Sequence, residues 1–253
     1  MKIIAIIQAR MGSHRLPGKM LMELAGKKIV DHVLDRVNKS HYINEVVVAT
    51  SISENNLPLV AHVATRSTRV FVGNEDDVLD RFYQVAKLLE PDVIVRITGD
   101  CPMIDPSLID LTIKTYFESK TDYCFNCGGN KIYPDGMDVE VFSFHALEKA
   151  YHEATKKSDR EHVTPYIRQS GKFAVSFLEA PEDYSKIRIT IDEERDLIAL
   201  KQIYQKLENV TDFSLNDVIE ILNNNPEIAA INNSIVRNAG YLKSLAEEQN
   251  GGI

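Results

Sequence analysis

The first apolar block, Ile3-Ile4-Ala5-Ile6-Ile7, is continuous and largely β-branched. That pattern predicts a strand buried on both faces of a parallel sheet. Glu45-Val-Val-Val-Ala-Thr50, Arg69-Val-Phe-Val72 and Asp92-Val-Ile-Val-Arg-Ile97 repeat it. Between these blocks the apolar positions change to helical spacing. Ile29, Val30, Val33, Leu34 and Val37 share one face of a helix over 28–38. A second helix opens near Ser53 or Asn55 and runs to about Val63. A third enters through 74–82, where the acidic Glu75 and Asp76 suit a helix start, and ends at Leu89. A fourth begins at Pro106 with Asp105 as its cap. Strand and helix alternate to residue 120. The alternation predicts βαβ units in a Rossmann-like, mostly parallel sheet with helices on both faces.

The rhythm changes from Thr121. Short strands are expected at 122–125, 139–142 and 172–178, with turn signals at Gly128-Gly129-Asn130 and Pro134-Asp135-Gly136. Helices are expected over 144–154 and 158–168. This region reads as a smaller strand and helix insertion, about 126–180, rather than a further βαβ unit. A last strand over 186–191 leads into a helix carrying Leu197, Ile198, Leu200 and Ile203, and a short helix follows over 213–222. The organisation expected is one domain over 1–222 and a helical tail over 223–253. Asn232-Asn233 and Gly240 break the tail, and 249–253 is expected to fray.

Charge narrows the partners. The 253 residues carry a net charge of −8, which argues against a nucleic-acid binder that works by neutralising phosphates. No apolar run approaches the roughly 20 residues of a membrane span. No small-residue cleavage site follows the first apolar block, so no signal peptide is expected. Three cysteines, Cys101, Cys124 and Cys127, fit a reducing, cytoplasmic setting. The Cys124–Cys127 pair matches C-x-x-C, but no second pair completes a zinc site.

Against that acidic background, the loop after the first strand stands out. Gln8-Ala9-Arg10-Met11-Gly12-Ser13-His14-Arg15-Leu16-Pro17-Gly18-Lys19 holds three cations and no carboxylate. Ligands bind at the carboxyl ends of strands in open α/β sheets. Glycines let backbone N–H groups approach an anion, so the loop reads as a polyphosphate cradle. It matches neither G-x-x-x-x-G-K-[ST] nor G-x-G-x-x-G, which disfavours a P-loop ATPase or a dinucleotide-dependent dehydrogenase. Two aspartates, Asp100 and Asp192, each directly follow a strand block. Such carboxylates suit Mg²⁺ beside phosphate oxygens. There is no G-x-S-x-G elbow and no H-E-x-x-H. The chemistry expected is phosphoryl-type transfer by positioning and charge neutralisation, without a covalent enzyme intermediate.

These residues resemble the signature of the sugar-activating cytidylyltransferases, the family of acylneuraminate cytidylyltransferase and CMP-ketodeoxyoctulosonate synthetase. The branch they resemble includes spore-coat polysaccharide biosynthesis protein F. The resemblance begins with Ile7–Lys19 and continues in order through Gly73-Asn-Glu-Asp-Asp-Val-Leu-Asp-Arg81, Arg96-Ile-Thr-Gly-Asp-Cys-Pro-Met-Ile-Asp105, Gly136-Met-Asp-Val-Glu-Val-Phe142, Arg160-Glu-His-Val-Thr-Pro165 and Arg188-Ile-Thr-Ile-Asp192. It implies a CTP- and Mg²⁺-dependent enzyme in which a sugar hydroxyl attacks the α-phosphate and pyrophosphate leaves. Carried over by motif, Arg10, Arg15, Lys19 and Asp100 form the catalytic set. Ala9, Met11, Gly12, Ser13, Asp77 and Arg81 join them around the nucleotide. Asp100 and Asp192 hold the metal. Asp138, Glu140, Arg160 and His162 face the sugar or a dimer partner. The resemblance also implies a homodimer, and a role in cell-surface polysaccharide synthesis. Gln8 departs from the proline usual in the acid-sugar enzymes, which leaves the acceptor open.

Two other readings use the same features. A metal-dependent GT-A-type glycosyltransferase would need a D-x-D pair, where this chain has Gly99-Asp100-Cys101. A non-catalytic nucleotide-binding homologue has no evident reason to retain Arg15, Lys19, Asp100 and Asp192 together.

Overall fold

In the computed structural model, which describes residues 1–250, β1 (Ile3–Gln8) lies in the middle of a seven-stranded sheet. Its first five residues are buried, as the unbroken apolar run requires. After β1 come a short hairpin of β2 (Glu23–Leu24) and β3 (Lys27–Lys28), then α1 (Ile29–Val37), β4 (Glu45–Ser51), α2 (Leu57–Thr65), β5 (Arg69–Gly73), α3 (Val78–Leu89), β6 (Val93–Thr98) and α4 (Pro106–Ser119). The hairpin has no apolar pattern to announce it. Its turn is made by Ala25 and Gly26, both with positive φ.

The sheet order is β5-β4-β1-β6 and then three strands of the later region. β4 and β6 flank β1 on opposite sides, both parallel to it, with Gln8 opposite Thr98 in register. The chain therefore reverses its direction of travel across the sheet between β1 and β6. A crevice opens at the carboxyl ends of those two strands, the place where doubly wound sheets bind ligands.

The second half extends the sheet with β7 (Tyr123–Phe125) and β8 (Glu140–Ser143). Two-layer packing continues through α5 (Phe144–Glu153), α6 (Lys157–His162) and α7 (Pro165–Gln169), and β9 (Val175–Phe177) forms the edge. β8 runs antiparallel to both β6 and β7, while β9 is parallel to β7. The chain closes with α8 (Glu194–Lys206), α9 (Leu215–Asn224), α10 (Pro226–Ala230) and α11 (Ala239–Asn250). One core packs α1, α4, α8 and α9 against one face of the sheet. The other packs α3, α5 and the α6–α7 corner against the opposite face.

Two expected elements take a different form. The helix over 158–168 is divided, because Val163 has a φ of 72° and Pro165 then starts a new turn. The stretch over 186–191 does not join the sheet. It crosses the sheet's carboxyl edge, with a single bridge between Asp135 and Arg188, and Ile191 N–H donates to Asp100 O at 2.9 Å. Its alternation is still used: Ile189 and Ile191 are buried in the core, while Arg188 turns to a group of acids. Gln249 and Asn250 are helical; the rest of the expected frayed end, 251–253, lies outside the described residues.

Candidate active site

Where β1 and β6 end, the two backbones meet closely. Gly99 N–H donates to Gln8 O at 2.8 Å. A Cβ at Gly99 would lie 2.9 Å from the Ala9 Cβ and 3.1 Å from Gln8 O, so only glycine fits. The loop that leaves β1 is closed by Gly18 N–H donating to Met11 O at 2.9 Å, with Gly18 at a φ of 75°. Asn56, buried behind the loop, accepts from Met11 N–H at 2.7 Å and donates to both oxygens of Ser51. Gly12 needs no special conformation and has open space around it. Among the described residues, the backbone N–H groups of Arg10, Gly12, Ser13, His14 and Arg15 find no acceptor. Arg10 is exposed with no ion-pair partner. Free N–H groups and a free guanidinium on one loop are an anion cradle.

Beneath the loop, Lys19 takes a different place from the one expected. Its side chain is only 7% exposed. Its three protons go to Asp100 Oδ2 at 2.8 Å, Asp192 Oδ1 at 3.0 Å and Ile191 O at 2.6 Å. It therefore has no proton left for a phosphate, and acts as the bolt between the two carboxylates. Burial alone would lower the Lys19 pKa, but Asp100 and Asp192 outweigh it and raise it. Asp192 also accepts from Arg188 at 2.9 Å and pairs with Arg15 at 3.0 Å. Burial pushes the Asp192 carboxyl up, but Lys19, Arg15 and Arg188 together bring it down to about 2. Arg188 is itself held by Asp196, at 2.8 and 3.0 Å, and by Asp135 at 2.5 Å. Asp196 further accepts from the backbone N–H groups of Asp192 and Glu193, both at 2.9 Å. Burial, then Asp138, lifts Asp135 to about 6.

The two aspartates already share one cation, so their geometry suits positive charge. Asp100 is a quarter exposed and keeps Oδ1 free of nitrogen or oxygen partners. Both oxygens of Asp192 are occupied, one of them by the 38%-exposed Arg15. No cluster of three metal-ligating side chains exists among the described residues. A divalent ion here would take its remaining ligands from phosphate and water, the usual habit of Mg²⁺.

The expected sugar-side and base-side residues separate into pairs. Asp77 caps α3 and accepts from Arg160 Nε at 2.6 Å. Arg81 is 1% exposed and donates to the carbonyls of Asn74 and Glu75, so it shapes the loop from behind and does not reach a nucleotide. Glu140 is also buried, between Arg96 and the Tyr123 hydroxyl, which donates to it at 2.7 Å. It therefore cannot contact a sugar directly. Arg96 also donates to Gln8 Oε1 at 3.2 Å, which ties the first strand to this pair. His162 bonds Ser244 Oγ at 3.1 Å and meets Tyr241 edge to face. Burial lowers the His162 pKa to about 4, with charges on Glu161, Arg96, Glu140 and Arg10 also acting on it. Asp138 accepts from Arg237 at 2.6 Å.

Sequence reasoning missed Asn56, Arg188, Asp196 and the tail residues Asn232 and Arg237. Arg188 stood inside a quoted motif, and Asp196 completes a capping box with Glu193 that was readable as such. Nothing local marks Asn56 or Arg237.

A sequence model of the family described as cytidylyltransferase matches residues 4–237. The spore coat polysaccharide biosynthesis protein SpsF of Bacillus subtilis is 38% identical over 241 residues, which cover 90% of this chain and 96% of that protein. An uncharacterised protein of Methanocaldococcus jannaschii is 40% identical over 238 residues, covering 93% of this chain and 96% of its own length. The solved structure of a cytidylyltransferase from Leptospira borgpetersenii superposes with a TM-score of 0.86 at 33% identity, over 93% of this chain and 99% of that one.

Two measurements check the site's electrostatics. Lys19→Met leaves two carboxylates and a carbonyl without their shared donor, and should cost about 3 kcal/mol in urea unfolding. The exposed Arg15→Gln should cost under about 1 kcal/mol; similar losses in the two variants would contradict the bolt. For His162, the unfolded chain takes up a proton near pH 6.5 and the folded one only near 4. Its contribution is therefore constant above pH 6.5 and is lost as pH falls towards 4, by on the order of 2–3 kcal/mol. The difference in unfolding free energy between wild type and His162→Gln should shrink by that amount across the window; a constant difference would show that His162 is not held neutral.

Proposed function

The chain belongs to the cytidylyltransferase family, enzymes that use CTP, and we propose that it transfers CMP to a hydroxyl of a sugar or sugar-like acceptor destined for a surface polysaccharide. The observation that carries this reading is the pairing of an anion-receptive loop, 10–15, with the Asp100–Lys19–Asp192 bridge immediately beneath it. The spore-coat role in the name of the Bacillus subtilis relative supports the polysaccharide setting.

The division of labour follows from exposure. The triphosphate would seat against the free N–H groups of Gly12 to Arg15 and draw in Arg10. Arg15 pairs with Asp192 in a partly exposed position, where an ion pair contributes little, so it is free to turn to phosphate. Doing so leaves Asp192 Oδ2 with Arg188 as its one remaining partner and frees room on it for a further ligand. Asp100 and Asp192 would then hold a divalent cation such as Mg²⁺, which supplies charge neutralisation to the triphosphate. Lys19 stays in place and keeps the two carboxylates in register with the loop. Arg10 and Arg15 stabilise the charge that builds on pyrophosphate as the acceptor oxygen bonds to the α-phosphorus and the bond to pyrophosphate breaks. The acceptor would lie on the other side of the crevice, towards His162 and Asp138. Its elements come from the 126–180 region, which we assign to acceptor binding and to a homodimer contact.

Pyrophosphate release measured with Mg²⁺ and each of the four nucleoside triphosphates, over a panel of acidic and amino sugars, tests the proposal; no binding of CTP at millimolar concentration would sink it. Asp100→Asn should lower turnover by at least about 100-fold while leaving the circular dichroism spectrum near wild type, at some cost in melting temperature because Lys19 loses one of its two counter-charges. Turnover within a few-fold of wild type would remove Asp100 from the mechanism.

A further inference from the structure

A second group of cations lies outside the crevice. Between β3, the end of α1 and the turn at 210–211 is a cavity of about 360 Å³. Its lining carries three cations, Lys27, Arg36 and Lys39, and one carboxylate, Asp35. Arg36 is 3% exposed, yet no carboxylate pairs with it among the described residues. Its guanidinium lies over the Phe213 ring at 3.7 Å. It donates to two neutral carbonyls, Ile104 O at 2.5 Å and Phe213 O at 2.9 Å. Three of its five N–H donors find no acceptor among the described residues. Burial lowers the Arg36 pKa, and the charges of Tyr204, Asp105 and Asp212 only partly offset it. A buried charge without a counter-charge is costly, and here it borders a space that a counter-ion can enter.

The two lysines keep donors as well. Lys27 Nζ gives one proton to Asp35 at 2.6 Å, and Lys39 Nζ gives two, to Thr211 O at 2.5 Å and Asp212 at 3.1 Å. Asp35 is shared with Arg66, so it does not belong to the cavity's cations alone. Asp212 stands outside the lining and is 79% exposed, where solvent screens it. Burial lowers the His32 pKa, so His32 adds no charge at neutral pH. The lining is therefore positive by two charges, which matches a phosphate group better than a single carboxylate. A guanidinium fork beside two flexible ammoniums suits a tetrahedral oxyanion. Val210 is the one aliphatic side chain in the lining, and no Phe, Tyr or Trp joins it, so a nucleobase finds no stacking face. The cavity also touches the active site from behind. Arg36 holds Ile104 O, and Tyr204, 3.3 Å from His32 Nδ1, donates to Pro102 O at 3.1 Å. Both carbonyls belong to the turn that begins at Asp100.

We propose that this cavity binds a small phosphate-bearing anion at a site separate from the crevice, and that the anion, by engaging Arg36, bears on the turn that carries Asp100. Binding here does not require the cytidylyl-transfer reading to hold.

The test follows backbone amide and Arg36 Nε–H signals by NMR in the full-length protein at low salt. The probes are inorganic phosphate, pyrophosphate and glucose 6-phosphate, with glucose as the neutral control. At least one phosphate-bearing probe should shift Arg36 Nε–H and the amides of 36–39 and 210–213, with a Kd below about 1 mM read from those signals. Glucose should not, and the tightest of the three anions identifies the source of the phosphate group. The amides of Cys101, Ile104 and Asp105 should move with the same Kd. Lys27→Gln combined with Lys39→Gln changes two partly exposed side chains and should leave the melting temperature near wild type. It should weaken binding at these amides by at least about tenfold. Arg10→Gln, in the crevice loop, should alter it by less than about twofold. No shift at 36–39 and 210–213 with any probe at about 10 mM, or shifts confined to 10–15, would overturn the site. Undiminished affinity in the lysine double variant, or loss of the cavity shifts in Arg10→Gln, would do the same. Cavity shifts with none at Cys101, Ile104 and Asp105 would overturn the link to the Asp100 turn.

Discussion

One buried ammonium holds the site together. Lys19 Nζ joins Asp100 at the end of β6, Asp192 at the end of the crossing stretch and the carbonyl of Ile191. Those groups are brought in from sequence positions 81, 172 and 173 residues away. Two carboxylates held this close would repel one another strongly in a partly desolvated crevice. The ammonium turns that repulsion into attraction and satisfies every proton it carries. A buried ion group of this kind adds little net stability over a well-packed apolar one, but it cannot lose a member cheaply. Its effect is to fix geometry. The ammonium sets the separation of the carboxylates before a ligand arrives, so a ligand does not have to gather them.

The cations around this bolt divide by exposure, and exposure decides their task. Lys19 and Arg188 are nearly enclosed and fully partnered, and serve as framework. Arg10 and Arg15 are solvent-facing, one free and one weakly engaged, and are available to an incoming anion. This is why a loop with three cations does not hold three equivalent phosphate ligands. The same rule applies among the acids. Asp196 is fully buried and organises Arg188 and the turn at Asp192, while Asp100 retains an open oxygen. A buried, fully paired inner ring supports a solvent-facing outer one, an arrangement suited to catalysis by pre-set charge.

The parallel half of the fold was readable because its determinants are local. Each strand is one uninterrupted apolar run, each helix a single periodic face, and Asp105 caps its helix as expected, while the cap of α3 is Asp77 rather than Glu75 or Asp76. The loop was readable for the same reason, since its cations and glycines lie within twelve residues. Errors arose where tertiary partners overrode a local pattern. Ile187, Ile189 and Ile191 alternate as a strand would, yet Arg188 is drawn to Asp135, Asp192 and Asp196, and that draws the stretch across the sheet's edge. Arg81 stands in the first turn of α3 beside a polar, acid-rich loop that suggests solvent, but the carbonyls of that loop capture it. Lys19 belongs by sequence to the basic loop and by structure to the carboxylates.

The two halves of the crevice therefore differ in how they can be read and in how they can vary. The side proposed for the triphosphate is built from consecutive residues, so changing it means changing one segment that also closes the sheet at Gly99. The opposite side is assembled from pairs far apart in sequence: Asp138 with Arg237, 99 residues on, and His162 with Ser244, 82 residues on. Neither partner of such a pair carries a local signal. The tail helix has almost no core of its own, so substitutions along it meet little packing resistance. A segment that contacts the site through polar tips and the core hardly at all can change its tips without disturbing the fold. On physical grounds, the contacts made by this segment are thus more free to change than those of the loop, because they stand on the least constrained part of the chain.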